Sequence, residues 1–82
     1  MKIERVQTGI RIEKRILKVL KGVAEFRDMS TNQMLELILL HSFENRPSFS
    51  KDGFRAIREL KSVYRLDYDL HAYKSFVDKK RR

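Results

Sequence analysis

Along Val6–Ile12, Val6, Thr8, Ile10 and Ile12 alternate with Gln7, Gly9 and Arg11. This period of two predicts a half-buried strand. The chain offers no second strand to pair with it, so the unmet backbone donors and acceptors call for a partner strand from another copy. From residue 13 to 27 the period changes. Ile16, Leu17, Leu20, Val23 and Ala24 recur at helical spacing, with Lys14, Lys18 and Lys21 on another side, which predicts an amphipathic helix. Gly22 weakens it by about 1 kcal/mol relative to alanine, and Asp28 and Met29 interrupt it.

Ser30-Thr31-Asn32-Gln33 fits a capping box, in which the serine oxygen accepts from the Gln33 amide and the Gln33 side chain reaches back. A second helix is predicted from there to about Asn45. Its apolar residues Met34, Leu35, Leu37, Ile38, Leu39, Leu40 and Phe43 point in nearly every direction around the axis. A helix apolar all round is one that is buried all round. One strand and one other helix cannot cover it, which implies an intertwined oligomer. The single proline, in Asn45-Arg46-Pro47-Ser48, ends that helix. Beyond it, Phe54, Ile57, Leu60 and Tyr64 line one helical face over about 51–64, and Leu66, Leu70, Tyr73 and Val77 line another. A break between the two is expected at Asp67 and Asp69, because a short acidic side chain caps a new helix; one continuous helix is the alternative. Lys79–Arg82 is expected to fray. The organisation is a unit over residues 1–46 and a helical extension over 47–82.

Composition sharpens this picture. Eighty-two residues suffice for one domain, whose core on its own is marginal. The chain has no cysteine, so disulfides and thiolate chemistry are excluded. Nineteen basic against eleven acidic side chains give a net charge of +8, which points to nucleic acid, an anionic membrane surface or an acidic protein. An apolar fraction of 41% is too high for a disordered basic tail. Residues 1–28 carry net +4, residues 29–49 net −1 and residues 50–82 net +5, so a near-neutral apolar centre separates two basic segments.

Strand, helix, capped turn and apolar helix within about 45 residues resemble the ribbon-helix-helix DNA-binding family of the Arc and methionine repressor type. The resemblance rests on Gln7-Thr8-Gly9-Ile10-Arg11-Ile12, on the helix through Val23-Ala24-Glu25, and on Met29-Ser30-Thr31-Asn32-Gln33. It implies a mostly α fold, a ribbon-helix-helix dimer with an intermolecular two-stranded antiparallel β-ribbon, here with one or two extra C-terminal helices. It also implies a cytoplasmic, sequence-specific regulator, a repressor that inserts its ribbon into the major groove of double-stranded DNA. Gln7, Gly9 and Arg11 would face the bases. Arginine bonds guanine bidentately and glutamine does so for adenine, whereas Gly9 departs from the polar residue usual at the middle family position. Ser30, Thr31 and Asn32 would hold phosphate through the amides that start the second helix, and Lys2 and Arg5 would reach the flanking backbone. Lys14 and Arg15 are secondary phosphate candidates; such lysines and arginines more commonly form a solvated face.

The extension has three possible uses: enlarging the dimer core, pairing dimers into tetramers, or binding a partner protein through residues 48–82, as antitoxins of this family bind toxins. Phe54, Tyr64, Tyr68 and Tyr73 read most simply as core, and the basic tail Lys79–Arg82 as the extension's best phosphate contact.

Other classes fit less well. An enzyme needs a convergent set of acids, bases or metal ligands. His41 and His71 lie on separate predicted helices without ligand spacing, and Gly9, Gly22 and Gly53 form no phosphate loop. No metal site or cofactor is therefore expected. A small basic ribonuclease built on His71 and Tyr73 is the weakest reading. A helix-turn-helix would put the second helix in the groove, stranding its large apolar residues against DNA. The longest apolar run, Leu37–Leu40, is far short of the roughly 20 residues of a membrane span, and the N-terminus lacks the apolar stretch of a signal peptide.

Overall fold

The computed structural model describes residues 1–80, and within them four helices and no strand. They are α1 (Lys14–Phe26), α2 (Thr31–Phe43), α3 (Lys51–Val63) and α4 (Leu70–Lys80). Arg81 and Arg82 of the expected terminal tail lie outside the described residues; Lys79 and Lys80 form the last turn of α4.

The expected β-ribbon is thereby corrected. The period-two segment adopts no ladder, and every residue from Met1 to Ile12 is exposed. Alternation makes one side of an extended segment apolar, but a ladder also needs a neighbouring strand, and this chain contains none among its described residues. The segment is instead an extended arm leading into α1.

Each helix start has a side-chain cap. At α1 the Glu13 carboxylate accepts from the Arg15 amide at 2.7 Å and the Ile16 amide at 3.0 Å. At α2 both halves of the capping box form: the Gln33 amide donates to Ser30 Oγ at 3.1 Å, and the Ser30 amide donates to Gln33 Oε1 at 3.0 Å. The Gly53 amide donates to Ser50 Oγ at the start of α3, and the Ala72 amide to Asp69 Oδ1 at 2.9 Å at the start of α4. The break expected near Asp67 and Asp69 thus falls where Asp69 caps.

The first three helices also end alike. Asp28, Asn45 and Arg65 take left-handed φ values of 55°, 56° and 58°. The amides of the residues that follow, Met29, Arg46 and Leu66, donate back to the carbonyls of Ala24, His41 and Lys61 at 2.8–2.9 Å. This is the Schellman closure, which satisfies carbonyls that a helix end leaves free.

α1 is the centre of the fold: its backbone comes close to those of both α2 and α3, while the α2 and α3 backbones stay further apart. Its apolar stripe supplies Val19, Leu20, Val23 and Ala24 to the core, and α2 supplies Met34, fully buried. Burying a side chain of that size is worth about 1.5–3 kcal/mol. Leu17, Met29, Leu35, Leu37, Ile38, Phe49, Ile57 and Leu60 pack around this centre, so α3 shares the core of the first two helices. Gly22 lies where α1 and α3 approach: a Cβ there would sit 2.6 Å from Leu60 Cδ2. Phe54, read from sequence as part of the α3 core face, is half-exposed and meets Phe49 edge to face at 5.7 Å.

Candidate nucleic-acid interface

Because the arm has no partner strand, its position depends on side chains. Arg5 Nε and Nη2 donate to the Glu36 carboxylate on α2 in three hydrogen bonds of 2.9–3.3 Å. The Arg5 guanidinium holds the Glu36 carboxyl below its ordinary range, first through these hydrogen bonds and then through its charge; Glu36 in turn raises Arg5. The pair lays the arm beside the first turns of α2. Between them runs an open groove of about 640 Å³, lined by Glu4, Arg5, Val6, Gln7, Thr8, Asn32, Leu35 and Glu36.

This geometry sorts the residues singled out in the sequence. Gln7 and Asn32 share the groove. Arg11 is exposed and free of ion pairs among the described residues. Gly9 has open space where a Cβ would stand and no left-handed φ, so nothing in the fold of this chain requires a glycine there. Ser30 is occupied as the cap. The Gln33 and Met34 amides are taken by Ser30 Oγ and the Ser30 carbonyl. The Thr31 and Asn32 amides keep no acceptor within the described residues and point from the positive end of α2, a ready anion site. Lys2 pairs loosely with Glu4 at 3.8 Å, and Arg5, still about half exposed, pairs with Glu36.

Arg15 is likewise engaged. It bonds Glu13 at 2.8 Å, the Arg65 carbonyl at 3.1 Å and Asp67 at 3.1 Å, and its guanidinium lies 5.2 Å from the centre of the Tyr68 ring. Lys18 sits 5.6 Å from the centre of the Tyr64 ring. Two cations of the basic side of α1 therefore tie down the segment between α3 and α4, while Lys14 and Lys21 stay free of ion pairs among the described residues. Sequence reasoning missed these clamps and the role of Glu36. Its signal was present: Glu36 is the single acid of α2 and interrupts the apolar run from Met34 to Leu40.

Two apolar surfaces remain open. On α2, Leu39, Leu40 and Phe43 face outward, Phe43 at 77% exposure. On α4, Leu70, Tyr73 and Phe76 are exposed, and this helix packs closely on no other helix among the described residues. His41 is partly buried, and its Nδ1 is enclosed without a hydrogen-bond partner. No group of three or more His, Asp or Glu side chains among the described residues converges as metal ligands, and no helix among them is long and apolar enough to cross a membrane.

Comparison with protein-family models, with curated proteins and with solved structures finds no match for this chain.

Proposed function

We propose that the chain works as a homodimer that binds double-stranded DNA and represses transcription at a short operator. The observation that carries this reading is the meeting of the arm with the first turn of α2: Gln7, Thr8 and Asn32 share one solvent-open groove beside the free Thr31 and Asn32 amides, on a chain of net charge +8. In this reading the amides hold phosphate, and Gln7 and Arg11 discriminate bases, each good bidentate pair being worth about 1–3 kcal/mol. The outward Leu39, Leu40 and Phe43 support the dimer, since a helix this apolar has a face its own subunit leaves uncovered. The resemblance to ribbon-helix-helix regulators rests on the sequence pattern of the helix, capped turn and second helix, and the ribbon itself forms no part of the proposal.

The test is binding of operator-sized duplexes selected from genomic fragments, with Arg11→Ala beside the wild type. Specific binding should fall while the dimer persists in sedimentation. Unchanged selectivity would show that the arm reads no bases.

A second reading, a protein-interaction module, is favoured by one observation: α4 stands away from the other helices and exposes Leu70, Tyr73 and Phe76. Pull-down with and without nuclease separates the two. A single protein retained after nuclease, with no DNA bound before it, favours the module.

A further inference from the structure

Several cations are already engaged: Lys2, Arg5, Arg15 and Arg46 are in ion pairs, and Lys18 and Lys80 lie over aromatic rings. On α3 three free cations stand together. Lys51, Arg55 and Arg58 stand at positions i, i+4 and i+7 of one helix, so they share a face. At 1.5 Å per residue they form a row about 10 Å long. All three are exposed, and none makes an ion pair among the described residues.

The orientation of α3 follows from its other side. Gly53 is buried, and Ile57 and Leu60 pack on the core against α1, which turns the row outward. Glu59 stands four residues after Arg55 and Asp52 three before it, at spacings where helix side chains can pair, yet neither acid forms an ion pair with the row.

We infer that Lys51, Arg55 and Arg58 form a second phosphate-binding surface, which grips the sugar-phosphate backbone of the duplex away from the arm. The inference rests on the DNA-binding reading above and adds a contact to it. A row of free cations matches the evenly spaced charges of a nucleic-acid strand, and its contribution is independent of sequence. An anionic membrane fits less well: a surface-bound helix inserts its apolar face beside its lysines, and Ile57 and Leu60 of α3 are used in the core. None of the three cations lines the groove at the first turn of α2, so the row is a separate surface and the two steady the duplex from two places.

The test uses the full chain, a variant carrying Lys51→Ala, Arg55→Ala and Arg58→Ala, and a control carrying Lys21→Ala, Lys61→Ala and Lys74→Ala, which loses the same charge off the row. Affinity for a short duplex of random sequence is followed by anisotropy across a salt series, with helicity checked by circular dichroism. The slope of log affinity against log salt should become shallower by about 0.9 for each phosphate no longer neutralised in the α3 variant and stay near wild type in the control. If the triple variant loses helicity, Arg55→Gln and Arg58→Gln are each expected to reduce the slope by about 0.9. Equal slopes in the α3 variant and the control overturn this inference and leave the arm reading standing. A wild type that binds no duplex at low salt overturns both. Loss of binding to phosphatidylserine vesicles in the α3 variant, with its duplex slope unchanged, replaces the duplex by a membrane and overturns the inference as well.

Discussion

Arg5 and Glu36 join the extended arm to α2 across 31 positions of sequence, with the guanidinium meeting both carboxylate oxygens at 2.9–3.3 Å. Both side chains remain about half exposed, and exposed pairs add little to global stability. Glu36→Gln should therefore leave the unfolding midpoint nearly unchanged yet release the arm. Limited proteolysis within residues 1–12 reads this directly: cleavage should be faster in the variant, and faster in the wild type at high salt, where such a pair is screened. Equal cleavage rates would mean that the arm is held by something else.

Acid should act on the same contact and on two caps. Glu36, Glu13 and Asp69 all have carboxyls held below their ordinary range, chiefly by hydrogen bonds from Arg5, from Arg15 and from the Ala72 amide respectively. A carboxyl with a depressed pKa in the folded state contributes stability that is present above its unfolded pKa and lost as pH falls through the folded value. These three contacts should thus hold from neutrality down to the carboxylate range, and the arm contact and the starts of α1 and α4 should be lost below it. Amide exchange at Arg15, Ile16 and Ala72 along an acid titration checks this, with Asp69→Asn expected to flatten the response at Ala72 alone.

Met34 and Phe43 lie on one helix and should respond differently. Met34 is fully enclosed, so Met34→Ala should cost about 2–5 kcal/mol through the packing removed and the cavity left behind, read as a lower urea midpoint. Phe43 faces solvent in the single chain. Phe43→Ser should leave the monomer's core intact and weaken self-association, visible as a lower sedimentation coefficient at equal concentration. No change in association would place the dimer contact elsewhere.

Gly22 is the third kind of position. Alanine there would gain helix propensity but press on a flexible Leu60 side chain. Leucine cannot be accommodated in the same gap. Gly22→Leu should destabilise by about 1–3 kcal/mol, the usual range for overpacking, and a double variant with Leu60→Ala should recover part of it. Absence of recovery would show that the approach of α1 to α3 is not what limits the site.

Much of the helical content is legible in the sequence because helices advertise themselves locally. The Ile16–Ala24 stripe, the Ser30–Gln33 box and the capping Asp69 each need only a few neighbouring residues. The arm is not half of a ribbon, as its alternation suggests, because the pattern at Val6–Ile12 records which side chains face together, while pairing depends on a strand that the chain lacks. Phe54 departs from its expected place in the core for a related reason: helical spacing puts it near Ile57, but the core takes up Ile57 and Leu60 and leaves Phe54 against Phe49 at the edge. Arg5, expected to reach the flanking DNA backbone, meets Glu36 within the chain, and that attraction across 31 positions emerges only when α2 and the arm are brought side by side. The groove residues Gln7 and Asn32 both stand out in the sequence, although their common location does not.

The left-handed residues Asp28, Asn45 and Arg65 have a consequence for how this small chain tolerates change. None of the three reversals employs glycine, so each holds a side chain in a backbone state that costs an L-residue roughly 1–2 kcal/mol, a cost that Asp and Asn bear more easily than Arg. Because that cost is carried at the corners, the corners offer room for gain: the molecule can be hardened at Arg65 without altering a single buried contact, and its resistance to unfolding is tuned where the chain changes direction.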